Sequence, residues 1–119
     1  MTRPARLALV GHGRMGRLLA TLAPAHGFEV AAAFTSADNP GGEGLTAANL
    51  LGVDVAIDFS TAQAVPVNVE KLAALGIPVV VGATGWGAEL PRVRAAVENA
   101  GSGLVYGANF SVGVQIFYR

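Results

Sequence analysis

Gly11-His12-Gly13-Arg14-Met15-Gly16 constrains this 119-residue chain more than any other stretch. A short apolar run, Leu7 to Val10, feeds directly into Gly-x-Gly-x-x-Gly. An amphipathic segment follows, with Met15, Leu18, Leu19 and Leu22 at i, i+3, i+4 and i+7. Strand, tight turn and helix in that order make an anion site, because the first N–H groups of a helix are free and its dipole favours negative charge. Gly11 permits the turn, Gly13 lets backbone approach a phosphate, and Gly16 permits close helix–strand packing. The pattern implies a dinucleotide pyrophosphate. A turn that is glycine-rich by chance is the alternative, and the flanking strand and stripe weigh against it.

The rest of the chain repeats the alternation of apolar runs with helical periodicity. Strands are expected at Phe28 to Phe34, Val53 to Phe59, Ile77 to Val81 and Leu104 to Tyr106. One helix face is marked by Val65, Val69 and Leu72, another by Leu90, Val93 and Val97, and a short helical piece is expected near Ala47 to Leu51. Ser111 to Tyr118 alternates like a strand but could equally open a helix. Such a pattern predicts an α/β fold with a doubly wound parallel sheet of Rossmann type, in the strand order 3-2-1-4-5. Ligands then bind beyond the carboxyl ends of the strands.

Composition narrows the function classes. The chain is 52% hydrophobic and only 13% charged, which suits a sheet covered on both faces and implies surface normally covered by something else. A formal net charge of zero, with no block of like charge, recommends neither nucleic acid nor an anionic membrane as partner. Without cysteine there is no disulfide, thiolate metal site or cysteine nucleophile, and two scattered histidines, His12 and His26, do not make a metal site. No apolar run approaches the roughly 20 residues of a membrane span. The N-terminus has no signal-peptide pattern, so a cytoplasmic protein is expected.

Polar clusters fall at the expected strand ends. After strand two stands Phe34-Thr35-Ser36-Ala37-Asp38, about 20 residues past the glycines, where a ribose is usually read by an acidic residue. The expected ribose position, Thr35, is not acidic. Thr35 and Ser36 hydroxyls, with Arg14 in the turn, could accept a 2′-phosphate, which inclines the reading slightly toward NADPH over NADH; Asp38 reaches the ribose only if the loop curls back. Strand three ends in Ile57-Asp58-Phe59-Ser60-Thr61. Ser60 has capping-box spacing to Gln63, and capping is its favoured role. Buried Asp58 is expected to accept bonds from loop N–H groups rather than move protons. Phe59 either packs on a cofactor or fills the core. Pro66 means that the helix starts beside it or that its first turn is irregular. Gly82-Ala83-Thr84-Gly85-Trp86 ends strand four, with a loop that can approach a flat ring closely and a tryptophan expected to pack. Tyr106-Gly107-Ala108-Asn109-Phe110-Ser111-Val112-Gly113 ends strand five; Asn109 either bonds a carboxamide or stabilises its own turn.

Four of these clusters in this order resemble the 4-hydroxy-tetrahydrodipicolinate (dihydrodipicolinate) reductase family of lysine and diaminopimelate synthesis. They are Gly13-Arg14-Met15-Gly16, Ile57 to Thr61, Gly82 to Trp86 and Ala108 to Val114. The resemblance implies hydride transfer from NADH or NADPH to a cyclic dicarboxylate. It implies that Gly11, His12, Gly13, Arg14 and Met15 hold the pyrophosphate, with Thr35 and Ser36 at the ribose and Phe59 beside the cofactor. Gly82, Ala83 and Thr84 would line the nicotinamide, Thr84 also lying near substrate, and Gly107, Ala108, Asn109 and Phe110 would meet its carboxamide side. The family's Gly-Thr-Thr-Gly is Gly82-Ala83-Thr84-Gly85 here, harmless if the first threonine acts through its backbone. The family's second domain, with its His-His-x-x-Lys motif and Ser-Gly-Thr loop, binds substrate and forms tetramers; neither motif occurs in this sequence. The resemblance therefore implies a nucleotide-binding domain over residues 1–110 and the start of a hinge over 111–119. It implies no catalytic residue and no metal ligand in this chain, which would bind cofactor without turning over substrate alone. Self-association through apolar surface near the hinge is expected. The alternatives are a non-catalytic NAD(P)-binding or assembly module, and the cofactor domain of a related amino-acid dehydrogenase.

Overall fold

The computed structural model describes residues 4–11, 14–35, 37–83, 85–106 and 115–117. Among the described residues, six strands form one sheet: β1 (Ala5–Val10), β2 (Phe28–Phe34), β3 (Val55–Asp58), β4 (Val79–Val81), β5 (Leu104–Tyr106) and β6 (Gln115–Phe117). Helices α1 (Arg14–Leu22), α2 (Val65–Ala74) and α3 (Leu90–Ala100) connect them. The spatial order is β2-β1-β3-β4-β5-β6. β1 to β5 pair in parallel and β6 adds an antiparallel edge. The doubly wound class is as the alternation predicted. The chain reverses its winding at β1, as in the expected 3-2-1-4-5 pattern, but a single strand, β2, lies on that side of β1, and β3 pairs directly with β1.

Crossover handedness explains which face each connection covers. A right-handed step one way along the sheet places its connection on one face, and a step the other way places it on the opposite face. Among the described connections only β1 to β2 runs in the first direction, so α1 is alone on its side among the described residues. The 35–54 connection, α2 and α3 all fall on the other. Alternation along β1 serves both layers: Leu7 and Leu9 pack toward α1 with Ala23, while Ala8 and Val10 join the larger core of Phe34, Leu45, Leu50, Val65, Val69, Leu72, Val93 and Val97.

This asymmetry corrects the reading of α1. Of its apolar stripe, Leu19 packs on the smaller cluster, but Met15, Leu18 and Leu22 are 54%, 51% and 45% exposed. One helix cannot cover this face of the sheet. A groove of about 420 Å³ remains between α1 and the strands, lined by Leu7, Leu19, Leu22, Val55, Ile57 and Val80.

Local chemistry sets the remaining boundaries. Gly27 takes a left-handed conformation and ends the 3-10 turn after α1. Pro66 lies in the first turn of α2, where its missing N–H costs nothing, so the helix starts beside it. The segment near Ala47 to Leu51 forms turns instead of the expected helix. There the Thr46 hydroxyl accepts the Asn49 backbone N–H at 3.1 Å and the Asn49 side chain donates to the Gly44 carbonyl at 2.9 Å, bonds that compete with a helical ladder. In the expected strand-or-helix stretch, Gln115–Phe117 is strand, and residues 111–114 and 118 lie outside the described residues. Among the described residues, no helix is long and apolar enough to cross a membrane.

Candidate functional site at the carboxyl edge of the sheet

Three backbone bonds staple the strand ends to one another. Gly11 N–H donates to the Phe34 carbonyl at 2.8 Å, Phe59 N–H to the Val10 carbonyl at 3.1 Å, and Gly82 N–H to the Asp58 carbonyl at 2.8 Å. The first turn is thereby fixed against the ends of β2 and β3, and the β4 turn against β3. Gly11 has φ +88°, and a Cβ there would lie 2.8 Å from both the Cα and the N of Ser60. Only glycine fits this close approach.

Beside it opens a cleft of about 450 Å³, lined by Val10, Gly11, Thr35, Phe59, Ser60 and Asn68 and walled on the outside by residues 39–41. Three sequence-predicted residues, Gly11, Thr35 and Phe59, thus meet in one cavity. Gly82 and Ala83 end the neighbouring strand, with Ala83 buried. Arg14 and Met15 are exposed in the first turn of α1. His12, Gly13, Ser36, Thr84, Gly107, Ala108, Asn109 and Phe110 lie outside the described residues.

The loop after β2 does curl back. The Thr35 N–H and hydroxyl donate to Asp38 Oδ2 at 3.0 and 2.9 Å. A carboxylate therefore stands at the end of β2, and the Thr35 hydroxyl is engaged with it.

Asp58 is fully buried beneath the cleft. Its Oδ1 accepts the Ser60 N–H at 2.9 Å and the Ser60 hydroxyl, and its Oδ2 accepts from the Asn68 amide at 3.2 Å. Burial pushes this carboxyl above its ordinary value, and the bonds from Ser60 and Asn68 offset part of that rise. As expected, Asp58 takes a loop N–H. The capping role expected for Ser60 is corrected: its hydroxyl is spent on Asp58, because an unpaired buried carboxylate is costlier than a helix end open to water. Thr61 takes the turn instead, accepting the Ala64 N–H at 3.3 Å.

Trp86 packs as expected. Buried, it donates its indole N–H to the Ala83 carbonyl at 2.9 Å and meets Tyr106 edge to face at 5.3 Å. That contact holds the loop after β4 closed on itself. Among the described residues there is no group of three or more His, Asp or Glu side chains placed to hold a metal ion.

Sequence reasoning missed Asn39 and Asn68, and it named Thr61 without giving it a role. The signal for Asn68 was present: with Val65, Val69 and Leu72 it completes an i, i+3, i+4, i+7 stripe, an amide among apolar positions. Buried there, it needs polar partners.

Fold and site together define a doubly wound α/β domain with a cleft outside the carboxyl ends of the strands, beside a turn at Gly11 that only glycine can make. Residues 5–110 match the family described as dihydrodipicolinate reductase, N-terminus, and the chain belongs to that family. It is 33% identical over 113 residues to a 4-hydroxy-tetrahydrodipicolinate reductase of Christiangramia forsetii, covering 95% of this chain and 45% of that protein. It is 38% identical over 128 aligned residues to a protein of the same name from Archaeoglobus fulgidus, covering 96% of this chain and 49% of that protein. The chain spans about half the length of the curated relatives it matches.

Proposed function

We propose that this chain is the pyridine-nucleotide-binding part of a 4-hydroxy-tetrahydrodipicolinate reductase. It would serve hydride transfer to a cyclic dicarboxylate in lysine and diaminopimelate synthesis. The observation that carries the reading is the Gly11 turn, packed too closely on Ser60 for any side chain and opening on the cleft. A dinucleotide needs that combination: bare backbone for its phosphates and a largely apolar cavity for its adenosine.

The nicotinamide, when bound, supplies the hydride. The chain's own residues bind and orient. Gly11 presents backbone, Phe59 offers apolar surface, and Trp86 fixes the Gly82-Ala83 turn on the next strand end. Asp58 has its carboxylate oxygens committed to Ser60 and Asn68, which argues against a role in proton transfer. A proton donor and a clamp for the substrate carboxylates would belong to the second domain, and the isolated chain binds cofactor without turnover.

Cofactor preference follows from the end of β2. The sequence inclined toward NADPH on the premise that the Thr35 hydroxyl could accept a 2′-phosphate. That hydroxyl donates to Asp38 instead, and the carboxylate would meet a 2′-phosphate as a like charge. This supports binding of both nucleotides with NADH the tighter. Calorimetric titration tests it: NADH should bind more tightly than NADPH, and Asp38→Asn should improve NADPH several-fold while changing NADH less. Failure of both nucleotides to bind overturns the function; tighter NADPH binding unaffected by Asp38→Asn overturns the preference alone.

A further inference from the structure

The outer wall of the cleft is not a regular element. It is the Pro40-Gly41 turn, part of the connection between β2 and β3. Such a loop would be expected to move freely, yet it is tied down by a chain of amides. The Gly44 N–H donates to Asn39 Oδ1 at 2.8 Å, and Asn39 Nδ2 donates to Asn68 Oδ1 at 3.0 Å. Asn68 Nδ2 then donates to Asp58 Oδ2 at 3.2 Å and to Ser60 Oγ at 3.3 Å. Asn68 is 1% exposed and Asp58 fully buried, so neither has water as an alternative partner. Loop, helix and strand end are joined through polar bonds whose loss leaves buried groups unpaired.

The loop also fits α2 closely. A Cβ on Gly42 would lie 3.0 Å from both Val67 Cγ1 and Lys71 Cδ, and one on Gly44 would lie 2.7 Å from the Asp38 carbonyl oxygen. Asn39 lines the cleft together with Pro40 and Gly41, which follow it. Its position therefore sets how wide the cavity stands between Pro40-Gly41 on one side and Thr61-Ala64 on the other.

We propose that Asn39 and Asn68 are positioning residues that pin the 39–44 loop to the buried Asp58, setting the width of the cleft for the purine ring of the nucleotide. This rests on the nucleotide reading above. It goes further in assigning the adenine end of the ligand to a wall held by two asparagines, neither of which needs to touch the ligand's phosphates.

Two probes separate positioning from a general structural role. 5′-AMP reports on the cleft, and inorganic pyrophosphate reports on the Gly11 turn. With Asn39→Ala, 5′-AMP affinity should fall about tenfold, equivalent to about 1.4 kcal/mol, with pyrophosphate affinity unchanged. Asn68→Leu, of similar size, should lower 5′-AMP affinity at least as much, and the double variant should be no worse than Asn68→Leu alone. Should Asn68→Leu fail to fold, the partly exposed Asn39→Ala decides. Wild-type affinity for 5′-AMP in Asn39→Ala, or equal weakening of 5′-AMP and pyrophosphate, overturns the proposal. Wild-type protein that binds neither NADH nor 5′-AMP overturns the nucleotide reading and this proposal with it.

Discussion

Replacing Gly11 with alanine is expected to weaken nucleotide binding sharply and to cost the fold about 2–5 kcal/mol. Two penalties add. A side chain at φ +88° is strained, at about 1–2 kcal/mol for the left-handed region. The new Cβ would also lie 2.8 Å from Ser60 backbone atoms, which cannot swing aside as a flexible side chain can, and overpacking of this kind costs about 1–3 kcal/mol. Relief requires the β1 turn to part from the end of β3, breaking the Phe59 N–H bond to Val10. That movement deforms the cleft at its floor, so NADH affinity should drop by about a hundredfold or more, equivalent to about 2.7 kcal/mol. Urea unfolding and calorimetry check the two effects separately. A Gly11→Ala protein with unchanged stability and unchanged NADH affinity would show that the close approach does not exist.

The second large effect concerns Asp58. Asp58→Ala removes the acceptor of the Ser60 N–H and hydroxyl and leaves the buried Asn68 amide only its 3.3 Å bond to Ser60 Oγ, at about 3 kcal/mol in total. Asp58→Asn is the more informative variant, because it keeps shape and removes charge. Burial raises the folded carboxyl above its ordinary 3.8, so the folded protein holds that proton more firmly than the unfolded chain does. Stability contributed by Asp58 is then fullest below 3.8 and declines as pH rises to the raised folded value, beyond which it is flat. Asparagine has no such dependence. The stability advantage of wild type over Asp58→Asn should therefore shrink as pH rises through that window, as urea midpoints at a series of pH values would reveal. An advantage that grows with pH would mean that the hydrogen bonds to the ionised carboxylate outweigh its desolvation.

Much of this architecture was legible in the residues because it depends on short-range patterns. Leu7 to Val10 followed by Gly11 signals strand and turn, and the Val65, Val69, Leu72 stripe signals a helix, without reference to anything distant. What failed depended on how much of a sheet face its neighbours cover, on side-chain bonds within turns, and on one contact between distant residues. Periodicity in α1 identified an apolar face correctly but could not say that one helix alone would cover that side of the sheet, leaving Leu18 and Leu22 about half exposed. A short helical piece is expected near Ala47 to Leu51, whereas the bonds of Thr46 and Asn49 favour turns, with Leu45 and Leu50 in the core. Asn39 meets Asn68 across 29 residues of sequence, and Asp38 reaches Thr35 only because the intervening loop folds back. Both contacts decide the shape of the site. The stripe position of Asn68 was the one readable hint.

Amide chemical-shift mapping with NADH on the whole 119-residue chain tests the central claim most directly. Saturating NADH should shift Gly11, Thr35, Ser60 and Gly41, around the cleft at the carboxyl edge of β1 to β3, and leave Leu22 and Val55 on the α1 face unchanged. Absence of shifts, or shifts confined to the apolar groove beside α1, would contradict it.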